Sequence, residues 1–294
     1  MNKRNNRVYW LMAIVVIILF FSFIIGTISR VRNSNKRKME YLAQNSDEVA
    51  QVLSNASEGL TATEATTATI TSSNELATEV TTLSLADLDI VAKFYSNSVF
   101  VGDSIMSGFA TFASTDDAPK WLKESIFLAK ISWGINSALN ESGGPMYMGK
   151  NQDIFTSLAQ IQPERVFINL GINEMNGLGS PGYSIEKLNG RYGELVANIK
   201  MEIPESEIYI LNITPCTKEK ETPNFKNSTI NEFNATLAES AVEWGVNYID
   251  LNSQFGEYLD IDLTTDKFVH HNSKSYIGKW IPFLQSLALN NNDI

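Results

Sequence analysis

From residue 85 onward, short apolar runs alternate with amphipathic helical stretches, and this alternation restricts the folds that the chain can adopt. Strands are predicted at 98–101, 125–131, 165–170, 207–213 and 246–251. Helices are predicted at 83–95, 105–113, 135–139, 152–161, 184–202, 228–244 and 274–289. Strands separated by helices at this spacing pair in parallel, with helices on both faces of the sheet. The expected architecture is therefore a single three-layer α/β domain with a five-stranded parallel sheet.

The segment that precedes this domain differs from it in composition. Residues 1–7 are a short basic tail, and residues 8–28 form a run of 21 residues without a charge. As a helix, that run would extend roughly 30 Å, the thickness of a bilayer core. No Ala-x-Ala pattern follows it, so we interpret the run as an uncleaved transmembrane anchor rather than a signal peptide. The lipid bilayer is therefore an expected partner through residues 8–28.

A linker rich in Ser and Thr follows the predicted anchor. Residues 29–85 begin with a basic juxtamembrane stretch, and residues 54–84 contain 14 Ser or Thr in 31 positions. Such a segment cannot bury enough apolar surface to fold, so the folded domain is assigned to residues 86–294.

The flanking residues give two opposed indications of membrane orientation. More basic residues follow the apolar run than precede it, which favours a cytoplasmic domain by the positive-inside rule. A Thr-rich linker is instead typical of a domain held away from a cell surface. We expect a single-pass protein of the cell membrane whose folded domain is extracytoplasmic.

The charge of the chain excludes several classes of partner. Eight of the 23 Lys and Arg residues lie at or before Lys38 and no acid precedes Glu40, so the rest carries 15 basic against 33 acidic residues. Phosphate binding needs clustered basic residues, so nucleic acid is not an expected partner. The single cysteine, Cys216, excludes an intramolecular disulfide. No His- or Cys-rich ligand set occurs, so we expect no metal and no cofactor. We expect a monomer.

A serine stands where the first predicted strand ends and a helix begins. The strand at 98–101 is followed by Gly102-Asp103-Ser104, and the helical stretch starts at Ile105. Ligands of open α/β sheets bind at the carboxyl ends of the strands, so Ser104 is a candidate nucleophile. Asp103 is expected to brace the turn and cap the helix.

A serine nucleophile requires a base, and the chain has only two histidines. His270 and His271 are adjacent, in the loop between the fifth strand and the last helix. Two other strand ends carry residues suited to stabilising an oxyanion. Gly134 could offer its backbone N–H after the second strand, and Asn173 its side-chain amide after the third. Ser, Gly, Asn and His therefore occur in that order at four strand ends.

This ordered set resembles the SGNH hydrolase superfamily, also called the GDSL-type esterases and lipases, whose name lists these four residue types. Gly102-Asp103-Ser104 matches the nucleophile motif of the family, and Gly134 falls where its oxyanion glycine is expected. Gly171-Ile172-Asn173-Glu174 is similar to its Gly-x-Asn-Asp/Glu motif. The segment from His270 to Tyr276 resembles its His-Leu-Asn-Ser-Lys-Gly-Tyr, which places the base at His270. The resemblance covers roughly residues 95–290 and implies a flavodoxin-like sheet.

The chain departs from the family pattern at one point. The family usually carries Asp three residues before the histidine, where this chain has Lys267, and Asp266 stands four residues before it. A one-residue insertion in the loop would still bring Asp266 to the imidazole, and Asp266 is our prediction. The alternatives are that His271 is the base, that Asp260 or Asp262 orients the base, or that a Ser–His dyad operates.

The resemblance implies a serine esterase or acylhydrolase. Ser104 would attack an ester carbonyl while His270 takes its proton. The N–H groups of Ser104 and Gly134 and the amide of Asn173 would hold the oxyanion, and water would resolve the acyl-enzyme. The expected substrate is an O-acyl ester, above all an acetyl ester, on a cell-envelope or extracellular carbohydrate, or another small ester. The alternatives are O-acyl transfer by the same site and a non-catalytic carbohydrate-binding domain.

Overall fold

A computed structural model describes residues 83–140, 143–178 and 183–291 of the chain. Its strands are β1 (Ser98–Gly102), β2 (Ile126–Ala129), β3 (Met146–Tyr147), β4 (Lys150–Asn151), β5 (Arg165–Asn169), β6 (Glu207–Leu211) and β7 (Asn247–Ile249). The main sheet has five parallel strands in the order β2-β1-β5-β6-β7, and β3 pairs with β4 as a separate hairpin. The predicted parallel sheet of five strands is confirmed.

Nine α-helices accompany these strands in the described part of the chain. They are α1 (Leu85–Tyr95), α2 (Ser104–Ala113), α3 (Lys120–Lys123), α4 (Ile135–Leu139), α5 (Ile154–Ile161), α6 (Ile185–Glu202), α7 (Asn227–Trp244), α8 (Ser273–Ser275) and α9 (Ile281–Asn290). A π-helical turn at Tyr276–Trp280 joins α8 to α9, so the predicted terminal helix contains all three. The two predicted capping residues of the long helices are found in the structure. Ser184 caps the start of α6, and Gly245 ends α7 in the left-handed conformation.

One face of the sheet is built from aromatic side chains. Phe100, Phe167 and Tyr209 are neighbours across β1, β5 and β6, and their rings stack with centroids 4.9 and 4.8 Å apart. Tyr95 from α1 and Phe109 from α2 pack on this layer, with centroids 5.4 Å from Phe167 and 5.9 Å from Phe100 respectively. Such buried aromatic area is a large favourable term in folding. These contacts fix α1 and α2 on this face.

The direction of strand addition reverses at β1. The chain passes from β1 to β2 on one side and then to β5, β6 and β7 on the other. Since crossovers between parallel strands are right-handed, the reversal places α2 on one face and α5, α6 and α7 on the other. The carboxyl ends of β1 and β5 then border the crevice at which ligands bind in open α/β sheets.

The structure differs from the sequence prediction at the edge strand. The predicted strand at 125–131 ends at Ala129, because Ile131 is 71% exposed and lies beyond the pairing with β1. The β3–β4 hairpin lies between the predicted helices at 135–139 and 152–161, where no strand is predicted, and Met148 and Gly149 form its turn with positive φ angles of 48° and 74°. The predicted anchor at 8–28 and most of the linker lie outside the described residues. Among the residues that are described, none of the helices combines the length and apolar character that a bilayer crossing requires.

Candidate active site

The serine nucleophile predicted from the sequence lies at the turn from β1 into α2. Asp103 is the N-cap residue of α2, and its Oδ1 accepts the N–H of Ile105 at 2.8 Å, which confirms the predicted cap. Gly102 leaves room for this turn, since an added Cβ would lie 2.5 Å from Met106 Cβ and 2.7 Å from Asn169 O. Ser104 therefore occupies the first position of α2, where the positive end of the helix dipole lies.

Ser104, His270 and Asp266 form a continuous chain of contacts. Ser104 Oγ lies 2.9 Å from His270 Nε2, and His270 Nδ1 lies 2.5 Å from Asp266 Oδ2. An ionised carboxylate can only accept, so Nδ1 carries the proton and Nε2 is left with a lone pair toward the serine hydroxyl. This is the tautomer that a general base requires.

The loop that carries Asp266 holds it as a carboxylate. Asp266 Oδ1 accepts the backbone N–H groups of Phe268, Val269 and His270 at 2.8, 3.2 and 3.2 Å. Burial opposes the charge, but the hydrogen bonds from the His270 ring and from the backbone outweigh it and lower the pKa of Asp266 below its usual range. Asp266 is thus charged at neutral pH and can stabilise an imidazolium on His270.

The one-residue displacement of Asp266 is absorbed by the residue that follows it. Lys267 has a positive φ of 60°, in the left-handed region that non-glycine residues seldom occupy. Thr217 holds this turn from outside, because its Oγ1 donates to Lys267 O at 2.8 Å and its N–H to Phe268 O at 3.0 Å. The tight turn brings Asp266 to the imidazole in spite of the four-residue spacing.

His271 is placed for a different role from His270. It is 3% exposed, and its two ring nitrogens lie 2.9 Å from Thr214 Oγ1 and 2.8 Å from Ser275 Oγ. Burial lowers the pKa of His271 to about 3, so its ring is neutral at neutral pH. The side chain links the loop after β6 to the last residue of α8 and makes no hydrogen bond to Ser104 in the described part of the chain.

The other two acids considered as partners of the base lie elsewhere in the same loop. Asp260 Oδ1 accepts the N–H of Asp262 at 2.9 Å and caps the short 3-10 helix Ile261–Leu263. The carbonyl oxygen of Asp262 accepts from Asn272 Nδ2 at 2.8 Å. Of the three candidates, only Asp266 contacts the imidazole of His270.

Gly134 and Asn173 face each other across two strand-end loops. Gly134 precedes α4 after β2, and Asn173 lies in the 3-10 helix Ile172–Gly177 after β5. Asn173 Nδ2 donates to Trp133 O at 2.9 Å, which fixes the orientation of the amide and leaves its second N–H available. Backbone and amide donors at this edge of the sheet are the groups that stabilise a tetrahedral oxyanion.

Two buried acids lie behind these donors, and sequence reasoning gave Glu174 no role. Glu174 Oε1 accepts the N–H of Ile135 at 2.6 Å, and burial raises the pKa of this carboxyl. Asp103 is 1% exposed, and burial together with the neighbouring Glu174 raises its pKa to about 7. The motif Gly171-Ile172-Asn173-Glu174 singles out this residue in the sequence but does not indicate its hydrogen bond to Ile135.

An open pocket of about 460 Å³ borders the two loops that carry Gly134 and Asn173. Its lining combines polar groups with a slightly larger apolar surface and is formed by Ser132, Gly134, Ser137, Asn173, Glu174, Gly177 and Tyr183. The described residues contain no group of three or more His, Cys, Asp or Glu that could hold a metal ion. The contacts of His270 with Ser104 and Asp266 form an arrangement that can carry out acyl transfer through serine.

Comparison with known proteins gives a family and a fold. A sequence model of the GDSL-like Lipase/Acylhydrolase family matches residues 100–276. A GDSL-like lipase from Bacteroides thetaiotaomicron superposes with a TM-score of 0.50 at 16% identity, over 67% of this chain and 90% of that one. The lipase/acylhydrolase from Enterococcus faecalis gives 0.47 at 13% identity, over 66% and 96%. An uncharacterized protein of Mycoplasma pneumoniae is 26% identical over 148 residues, which are 48% of this chain but only 16% of that protein.

Proposed function

The chain belongs to the GDSL-like lipase/acylhydrolase family and is an ester-bond hydrolase, and we propose that it is a serine esterase that removes small O-acyl groups from a carbohydrate. The observation that carries this proposal is the contact chain from Ser104 Oγ through His270 to Asp266, at 2.9 and 2.5 Å. A nucleophile, a base and an orienting acid in that geometry are what acyl transfer through serine requires.

Each residue has a distinct part in the proposed reaction. Ser104 Oγ attacks the ester carbonyl as its proton passes to His270 Nε2, and Asp266 stabilises the imidazolium that results. The N–H groups of Ser104 and Gly134 and the free N–H of Asn173 stabilise the negative oxygen. The tetrahedral intermediate then expels the alcohol, which takes the proton from His270. Water, activated by the same imidazole, releases the acid and restores Ser104.

The hydroxyl groups in the pocket lining support a hydroxylated substrate. The hydroxyls of Ser132, Ser137 and Tyr183 can hydrogen-bond to sugar hydroxyls, and the apolar surface between them can contact the carbon faces of a sugar ring. An acetyl group needs much less apolar space than a long acyl chain. We therefore place the substrate among acetylated sugars of the cell envelope or extracellular space.

Ester hydrolysis by the purified full-length chain tests the proposed mechanism. p-Nitrophenyl acetate should be hydrolysed, and Ser104→Ala should lower the rate by roughly 10⁴-fold or more. The matched control is Ser107→Ala, whose hydroxyl lies one turn further along α2 and donates to Asp103 O at 2.9 Å. A fluorophosphonate should label the wild type and Ser107→Ala but not Ser104→Ala. Equal rates in all three proteins would reject the role of Ser104.

The substrate class needs a separate comparison. Acetylated xylo-oligosaccharides and p-nitrophenyl decanoate differ in both acyl length and polarity. We expect a kcat/KM for the acetylated sugar at least ten times that for the decanoate. A preference for the decanoate would reject the carbohydrate and favour a lipid ester. Transfer of the acetyl group to added sugar, in place of release as acetate, would identify an acyltransferase.

We also propose that residues 8–28 anchor the chain in the cell membrane, with the esterase domain outside the cytoplasm. The support is the length of the uncharged run and the Thr-rich linker after it. In intact cells, an external protease should remove the domain while the anchor remains with the membrane. Protection of the domain until the cells are lysed would reverse the proposed orientation.

A further inference from the structure

Two consecutive residues hold the chain on either side of Gly134. Asn173 Nδ2 donates to the carbonyl of Trp133 at 2.9 Å, and Glu174 Oε1 accepts the N–H of Ile135 at 2.6 Å. Both come from the loop after β5, whereas Gly134 belongs to the loop after β2. The peptide that carries the Gly134 N–H is therefore fixed from the opposite loop at the residues before and after it.

The carboxylate of Glu174 is packed directly against Gly134. A Cβ added to Gly134 would lie 2.1 Å from Glu174 Oε1 and 2.7 Å from Cδ, so only glycine allows this approach. Glu174 is 8% exposed, and its Oε2 is buried with no hydrogen-bond partner among the described residues. A buried carboxylate is costly unless its hydrogen bonds compensate, which indicates that the bond to Ile135 is an important one.

The N-cap residue of α4 makes no side-chain cap for the first turn of this helix. The helix spans only Ile135–Leu139, and its N-cap residue is Gly134, which has no side chain to accept a hydrogen bond. The first N–H groups of a helix lack intrahelical partners, so an acceptor must come from elsewhere. Glu174 supplies that acceptor through the hydrogen bond from the N–H of Ile135.

From these contacts we propose that Glu174 is a positioning residue of the oxyanion site. Its carboxylate caps α4 and, together with the amide of Asn173, directs the N–H of Gly134 toward the oxygen that becomes negative in the transition state. The proposal rests on the serine esterase function proposed above. Because Glu174 acts through Gly134, its loss should weaken stabilisation of the transition state more than binding of the substrate.

Three variants of the full-length chain separate positioning from general stability. Glu174→Ala removes the acceptor, whereas Glu174→Gln replaces the carboxylate with an amide whose oxygen can still accept the N–H of Ile135. Asp153→Ala is the matched control, because Asp153 Oδ1 accepts the N–H of Thr156 at 2.7 Å and caps α5, away from the site. All three variants are compared with the wild type in p-nitrophenyl acetate hydrolysis.

Glu174→Ala should lower kcat by about 10- to 100-fold with KM within about twofold, somewhat less than the loss of a whole oxyanion donor. Glu174→Gln should retain kcat within about fivefold, and Asp153→Ala within about twofold. A kcat for Glu174→Ala equal to that for Asp153→Ala would overturn the proposal. So would a rise in KM at constant kcat, which would indicate that the carboxylate binds substrate directly.

A second measurement does not depend on turnover. In hydrogen–deuterium exchange, a peptide containing Gly134 and Ile135 should exchange at least tenfold faster in Glu174→Ala than in Asp153→Ala or the wild type. Unchanged exchange would overturn the positioning role even if the enzyme is active. Absence of Ser104-dependent hydrolysis and fluorophosphonate labelling in the wild type would instead reject the esterase function, and the exchange result would still decide whether Glu174 fixes the loop.

Discussion

Replacing His271 should change the pH dependence of stability in a way that the contacts of its ring define. The imidazole is 3% exposed, and both ring nitrogens face hydroxyl groups, those of Thr214 and Ser275. A neutral ring has one donor nitrogen and one acceptor nitrogen, and each can pair with one of these hydroxyl groups. A protonated ring would place a charge among the rings of Phe255 and Trp280, whose centroids lie 5.0 and 5.3 Å away.

The size of the effect follows from the two pKa values. Burial lowers the pKa of His271 in the folded chain to about 3, from an ordinary value of 6.5. Between these two pH values the unfolded chain binds a proton that the folded chain does not. The contribution of His271 to the free energy of unfolding is therefore complete above pH 6.5 and is lost as pH falls toward 3. Each pH unit in that window corresponds to about 1.4 kcal/mol, so at pH 4.5 the loss is about 3 kcal/mol.

Other buried groups act in the opposite direction, so a difference between proteins is required. Burial raises the pKa of Asp103 to about 7, so its contribution is present at low pH and is lost as pH rises through that value. Asp103 is common to wild type and His271→Gln. Its contribution therefore cancels when the two stability profiles are subtracted.

Thermal unfolding followed by circular dichroism at pH 7.5 and 4.5 provides the assay. His271→Gln should be less stable than wild type at pH 7.5, because it loses both buried contacts. The difference in the free energy of unfolding between the two proteins should be smaller by about 3 kcal/mol at pH 4.5. For a domain of this size, that is a change of about 6–12 °C in Tm. Ser275→Ala keeps the imidazole and should follow the wild-type pH profile at a lower Tm. Parallel profiles for wild type and His271→Gln would refute the reasoning.

Four further substitutions, at three positions, test other residues of the site and of its loop. Asp266→Asn should lower kcat for p-nitrophenyl acetate by about 10³- to 10⁴-fold, because Asn can donate to His270 Nδ1 and so favour the wrong tautomer; a loss below tenfold would support a Ser–His dyad. Asn173→Ala should lower kcat by about 10²- to 10³-fold, and a change confined to KM would contradict its oxyanion role. Lys267→Gly should keep kcat within about twofold, whereas Lys267→Val should lower stability by about 1 kcal/mol or more in thermal unfolding, since a β-branched residue disfavours positive φ. Equal Tm values for the two Lys267 variants would count against a strained turn.

The sheet was predictable because its strands are buried on both faces. Val99, Val101 and Val166 alternate with large aromatic residues that are just as buried, so each strand reads as a continuous apolar run. The edge of the sheet was less predictable. Ile131 continues the apolar run of β2 but is 71% exposed, because pairing with β1 ends before it. Periodicity alone does not report where a partner strand stops.

The hairpin of β3 and β4 was missed for a related reason. Each strand has two residues, which is too short for an alternating pattern to be visible. Its turn uses Met148 at a φ of 48°, where the sequence signal for a two-residue turn is usually Asn or Asp before Gly. Only Gly149 marked the turn, and a lone glycine is compatible with any loop.

The site residues were predictable to different degrees because they depend on the fold to different degrees. Ser104, Gly134 and Asn173 follow strands directly, so the predicted topology already places them at one edge of the sheet. Glu174 follows a strand end equally closely, but its role depends on a hydrogen bond to Ile135, which is 39 residues away in the chain. A contact of that kind is set by how two loops approach one another, and no local pattern encodes it.

The spacing of Asp266 and His270 shows where a motif stops being informative. A separation of four residues instead of three would turn the carboxylate away from the ring if the loop kept its usual conformation. The structure recovers the contact through a left-handed residue at Lys267, held by two hydrogen bonds from Thr217. Lysine is not among the residues that favour this conformation, so the sequence gives no local sign of the turn. The determinant lies 50 residues earlier, in a threonine after β6 whose hydroxyl and amide together fix the loop. Substituting Thr217 should therefore affect catalysis through Asp266, although Thr217 has no hydrogen bond to His270 or Ser104 in the described part of the chain.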